Sequence, residues 1–112
     1  MGYRSEVYLG IDKEIVNKLL DYTATRKACF ELLFEDSEYA KRTKAGDIHF
    51  LWECVKWYDS YDAISDLHSF LEENDDHYKF LRLGEQADDL EELGYSETFY
   101  FQVERQVSVC IE

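Results

Sequence analysis

The chain of 112 residues contains no proline, and its five glycines stand singly. No linker, internal repeat or low-complexity segment interrupts it, and isolated glycines cannot build the loop that cradles a phosphate. Cysteine is scarce: Cys29, Cys54 and Cys110 are odd in number, far apart and never spaced C-x-x-C. That argues against a disulfide framework or zinc knuckle and for reduced, cytosolic thiols. No apolar run approaches the roughly 20 residues of a bilayer span, and "MGYRSEVYLG" has no basic stretch leading into an apolar one. The reading is therefore neither membrane-inserted nor secreted.

Positive charge is the other shortage. Twelve Lys and Arg face 25 Asp and Glu, a formal charge of −13. A surface of that sign repels nucleic acid and anionic lipid and attracts basic proteins, more strongly at low salt. The one concentrated basic patch, "KRTK" at 41–44, is too small to be a nucleic-acid footprint against this field.

Aromatic residues are what the chain has in quantity: seven Phe, nine Tyr and two Trp. They supply enough burial for one core without a metal or disulfide staple, and the length fits a single domain over residues 1–112.

The charge is uneven. Residues 59–97 carry thirteen acids against only Lys79 and Arg82, a balance of −11, whereas 1–58 and 98–112 are each at −1. The bland reading is a solvated face; the sharper one is a docking surface for a basic partner. Its candidate residues are Asp59, Asp62, Asp66, Glu72, Glu73, Asp75, Asp76, Asp88, Asp89, Glu91 and Glu92.

"RSEVYLGI" alternates, with Ser5, Val7, Leu9 and Ile11 on one side, and predicts a first strand with one buried face. Asp12 is placed to cap a helix whose apolar positions Ile15, Val16, Leu19, Leu20 and Tyr22 recur every three or four residues. Residues 25–44 admit one helix, two helices, or a strand at Phe30–Phe34, followed by the loop "SEYAKRTKAGD". Residues 48–58 predict a second strand, bounded by Gly46 and Asp59. A helix from Ser60 or Tyr61 turns Ile64, Leu67, Phe70 and Leu71 inward and Asp62, Asp66, Glu72 and Glu73 outward. "HYKFLRL" predicts a third strand and "QADDLEELG" a short acidic helix ended by Gly94. "TFYFQVERQVSVCI" predicts a last strand with one apolar face. The fold class is α+β: helices on one face of a four-stranded, mostly antiparallel sheet, ferredoxin-like or related.

For chemistry, His49, His68 and His77 fall into no H-E-x-x-H or calcium-loop spacing, so no metal and no cofactor is expected. His68 and Glu72 are four apart, which an ordinary surface pair explains. Cys29 and Cys54 sit in apolar runs and read as core residues rather than activated nucleophiles. A catalytic site is not expected. Trp52 and Trp57, five residues apart, would point to opposite faces of a strand and so make no stacking platform. With residues 48–58 extended, both faces are largely apolar, which leaves a patch around Leu51, Val55 and Trp57. Trp57, at the rim beside acids, has the make-up of an interface anchor. A homodimer through that patch is the alternative to docking on another protein; a small enzyme is the second alternative.

"GYRSEV", "VKWYD" and "YKFLRLGE" followed by acids resemble stretches of small uncharacterised proteins encoded by bacteriophages and prophages. The resemblance supplies no catalytic residues. It implies a bacterial host's cytoplasm during infection, where small acidic phage proteins look like nucleic-acid mimics that inhibit DNA- or RNA-handling or defence proteins, in the manner of anti-restriction or anti-CRISPR factors.

Overall fold

The computed structural model describes residues 3–86 and 88–99. Its elements follow the sequence closely at the start. Strand β1 is Ser5–Ile11, and Ser5, Val7, Leu9 and Ile11 are buried as their alternation requires. Asp12 then caps a 3₁₀ turn over Lys13–Ile15, its carboxylate accepting from the Glu14 amide at 3.4 Å, and helix α1 runs Val16–Ala24. A second helix, α2, covers Lys27–Phe34, so the apolar run there is helical and not a strand.

Two further elements correct the sequence reading. The segment expected to be a loop after α2 contains strand β2, Tyr39–Arg42, and the stretch expected to be an acidic helix is strand β5, Leu90–Leu93. Both are four residues long, too short for periodicity to register. Between them lie β3 (Ile48–Val55), α3 (Asp62–Glu72), a 3₁₀ turn at Asp75–His77 and β4 (Tyr78–Leu83). Gly94 does take a positive φ of 89°, as expected, but it follows a strand. A Cβ there would meet the Tyr78 carbonyl oxygen at 2.2 Å. The last strand expected from Thr98 onward lies, from residue 100, outside the described residues.

The molecule is α+β, with three α-helices and an open antiparallel sheet of five described strands, not four, in the order β2-β3-β1-β4-β5. All three helices bury their apolar faces in one cluster with Val7, Leu9, Ile11, Phe50, Trp52 and Phe80 of the sheet. On the other sheet face, the register brings Tyr39, Leu51, Tyr8 and Leu81 into one row across the strands. Beside that row, Phe99 covers Gly10 and meets the His49 ring edge-on at 4.8 Å.

The pairing of β1 with β3 contains the irregularity that matters most. Ser5 opposes Val55 and Val7 opposes Trp52, so β3 uses one residue more than β1 over the same interval. That is a β-bulge, and it reverses the alternation beyond it. Arg4 helps satisfy the bulged backbone, its guanidinium donating to the Cys54 carbonyl at 3.3 Å. Val55 therefore turns to the core face, opposite the side that unbroken alternation assigns it, and packs against the core cluster. Trp57, two residues on and already past the strand end, follows it inward.

Candidate functional site

Because of that bulge, Trp52 and Trp57 are neighbours, with ring centroids 5.0 Å apart, and the expectation that they face apart is overturned. Both are interior: Trp52 is 1% exposed and Trp57 7%. Trp52 donates its indole N–H to the Leu32 carbonyl at 3.0 Å. Trp57 packs on Phe80 at 5.7 Å and donates to Nε2 of His68 at 3.0 Å. The apolar patch expected around Leu51, Val55 and Trp57 does not form. Leu51 is buried on the opposite sheet face and the other two join the core. Trp57 is thus a core residue and offers no surface anchor.

What does form beside it is an open cleft of about 360 Å³ between α3 and β5. Its helix wall is Ser65, His68, Ser69 and Glu72, a polar stripe at spacings of three and four that places all four side chains on one helix face. Asp59 closes it from the segment after β3, and Glu91 and Leu93 from β5. Three carboxylates from three separate elements thus converge on it. The sequence reading had singled out Asp59, Glu72 and Glu91; it missed Ser65, Ser69 and Leu93 and gave His68 no role. The helical stripe was the available signal for the serines.

The other predicted acids are spread around this cleft in different states. Asp62 begins α3, and Glu72 and Glu73 end it, all three exposed. Asp66 is half-buried, and its carbonyl accepts from the Tyr22 hydroxyl at 2.7 Å. Asp75 and Asp76 stand exposed in the following 3₁₀ turn, and Asp88 is exposed before β5. Asp89 is committed elsewhere: Arg82 donates to its two oxygens at 2.8 and 3.2 Å, and the Tyr3 hydroxyl donates to it at 2.5 Å. Arg82 also reaches Glu91 at 3.2 Å and Ser5 at 3.1 Å. Hydrogen bonds to these two carboxylates, outweighing the cost of burial, hold its guanidinium more firmly charged than usual. Among the described residues, no Lys, Arg or His forms an ion pair with Asp59, Asp62, Glu72, Glu73, Asp75, Asp76, Asp88 or Glu92.

The acidic helix expected at "QADDLEELG" is strand β5 instead, and this divides its charge. On strand β5, Glu91 opposes Arg82 whereas Glu92 opposes Leu81, so the two consecutive acids point to opposite sheet faces.

The serines of the cleft have no activating base in His68. His68 could serve as a base for Ser65 or Ser69 only through a free imidazole lone pair, and its single one is already engaged by the Trp57 N–H. Burial lowers the His68 pKa despite the raising influence of Asp59, Glu91 and Glu72, so the ring is neutral at physiological pH. Among the described residues, no three of His, Cys, Asp and Glu are grouped to hold a metal ion, and no helix is long and apolar enough to cross a membrane. The chain matches no protein-family model, no curated protein and no solved structure.

Proposed function

We propose that the chain is a non-enzymatic protein-binding module whose acidic end, around the α3–β5 cleft, docks on a basic nucleic-acid-binding surface of a partner. In this reading it is a phage-encoded inhibitor of a host DNA- or RNA-handling or defence protein, acting in the bacterial cytoplasm. The frame is ferredoxin-like: the order strand, helices, strand, strand, helix, strand, with β2-β3-β1-β4 across the sheet, supports it, and β5 is an addition beside β4.

The observation that carries the docking reading is the convergence of Asp59, Glu72 and Glu91 on one open cleft: Glu91 is shared with Arg82, but Asp59, Glu72 and the exposed acids around them form no ion pair among the described residues. Duplex DNA presents a charge about every 1.7 Å, whereas the acids here form a cluster rather than a track. The mimicry is therefore of local charge density, matching a few Lys or Arg side chains rather than a long groove. The homodimer alternative loses its anchor, since Trp57 is interior.

The test is capture from bacterial lysate with and without a competing DNA duplex, at about 0.05 M and 0.5 M salt, where the Debye length shortens severalfold. Proteins retained at low salt, displaced by DNA and lost by an Asp59→Asn/Glu72→Gln variant support the reading. A Glu35→Gln/Asp36→Asn variant, altered outside the acidic stretch, should capture as well as the parent. Capture indifferent to DNA, or reduced equally by both variants, refutes it.

A further inference from the structure

The Trp57–His68 pair carries a consequence of its own. An indole N–H can only donate, so the imidazole nitrogen facing it at 3.0 Å must be unprotonated. Nε2 of His68 is that nitrogen, which assigns the ring's single proton to Nδ1. A second proton has one place to go, Nε2, and there two N–H groups would oppose each other and the hydrogen bond would be lost.

The surroundings are asymmetric. Trp57 on the segment after β3 meets the His68 ring edge-on at 6.0 Å, and Phe80 of β4 meets it edge-on at 5.1 Å. The charged groups acting on the ring are Asp59 from the segment after β3, Glu91 from β5 and Glu72 from α3 itself; from β4 it meets the apolar Phe80. Three carboxylates would welcome an imidazolium, whereas burial disfavours it and the indole donor requires the neutral ring. His68 also lines the cleft, and Asp59 stands only two residues beyond Trp57, so whatever happens to the pair is felt at the cleft wall.

We propose that the Trp57–His68 hydrogen bond is an acid-released latch on the cleft. Protonation of Nε2 breaks it, places a positive charge between Asp59, Glu72 and Glu91, and releases the Trp57–Asp59 segment from α3. The cleft then becomes less acidic and less fixed, and its hold on a basic partner weakens. That last step rests on the docking reading; the latch itself does not.

Nitrogen-15 spectra of the histidine side chains test the latch in the free chain. At neutral pH His68 should show a protonated Nδ1 and an unprotonated Nε2; the opposite tautomer overturns the proposal. The Trp57 indole N–H resonance, assigned by its absence in Trp57→Phe, should then shift as the pH falls below the ordinary histidine value of 6.5. In His68→Gln, whose amide oxygen can accept the same bond without titrating, that shift should be absent. A shift that persists in His68→Gln, or an indole signal unmoved while His68 titrates, also overturns it.

The coupling is read with an oligolysine peptide. Its affinity should fall between pH 7.5 and 5.5 by at least about fivefold more in the parent than in His68→Gln, the low end of coupling between linked sites. An equal fall in both refutes the coupling. Absence of oligolysine binding at either pH refutes the docking reading and leaves the spectroscopic result standing.

Discussion

Gly10 lies on β1, a central strand, where a residue with a side chain would ordinarily pack better. Its φ is not positive, so no left-handed backbone requires glycine there. The reason is Phe99: a Cβ at residue 10 would meet three atoms of its ring at 2.6, 2.6 and 2.8 Å, against the roughly 3.5–4.0 Å of ordinary carbon contacts. Gly10→Ala therefore forces the ring outward by about 1 Å and should cost about 1–3 kcal/mol, the usual range for overpacking. Phe99→Ala removes a ring that is only 6% exposed and should cost about 3–5 kcal/mol. In the double variant the ring is gone, and the alanine gains the roughly 0.5–1 kcal/mol by which glycine is the poorer strand residue. The second substitution should then be neutral or stabilising, giving a coupling energy of about 1–4 kcal/mol. Urea denaturation followed by the fluorescence of the interior Trp52 and Trp57 measures all four corners of the cycle. Should Phe99→Ala be too unstable to measure, Phe99→Leu serves, with a smaller coupling of the same sign. A cost for Gly10→Ala that is the same with and without the ring would refute the reasoning.

Other outcomes follow from the same contacts. Arg82→Gln should cost about 1–3 kcal/mol by removing the guanidinium that Asp89 and Glu91 share, and less at about 0.5 M salt, where their mutual repulsion is screened; urea melts at two salt concentrations decide this. Glu73 sits at the C-terminus of α3, with the unfavourable end of the helix dipole, so Glu73→Lys should raise stability by up to about 1 kcal/mol while weakening oligolysine binding. Cys29 is fully buried, and burial pushes its thiol up to about 11, so iodoacetamide at pH 8 should alkylate Cys54 and spare Cys29 until urea is added; peptide mass analysis in a Cys110→Ser background checks it. The folded-state pKa of His68 lies below its ordinary 6.5, so the unfolded chain takes up this proton first. Stability should fall as pH drops from 6.5 to that lower value, and His68→Gln should lack this part of the slope in denaturation at successive pH values.

Much of this architecture was legible in the residues, and the failures have physical causes. The first strand, the inward face of α3 and the strand at Tyr78–Leu83 were readable because each repeats its apolar period over two turns or several alternations. β2 and β5 were not, because "YAKR" and "LEEL" are too short to show a period and are each half charged. Their identity as strands comes from pairing with β3 and β4, a tertiary fact. The bulge between Trp52 and Val55 is invisible for a similar reason: an extra residue in one strand exists only relative to its partner. That single residue inverted every orientation inferred beyond it. It turned a predicted surface tryptophan into the hydrogen-bond donor to a half-buried histidine. Asp59, Glu72 and Glu91 are exposed or half-exposed, which composition alone implies; their convergence on one cleft does not follow from composition.

The placement of those acids separates charge that stabilises from charge that does not. Asp89 and Glu91 neutralise Arg82 and tie β4 to β5, and Asp62 stands in the first turn of α3, where the helix dipole favours an anion. Glu72, Glu73, Asp75 and Asp76 do the reverse: they crowd the C-terminal end of α3, whose last turn has no basic residue. A sequence selected for stability or solubility alone could have put these charges on the N-terminal turn or the exposed face of α1 at no such cost. Local choices that oppose the fold around them are concentrated where a site operates, and here they lie on the same helix end as Glu72 of the cleft. The conflict is relieved if a cation arrives from outside the chain. A basic side chain of a partner, seated near Glu72 and Glu73, would supply the positive charge that this helix end lacks, and docking and stability would then pull in the same direction.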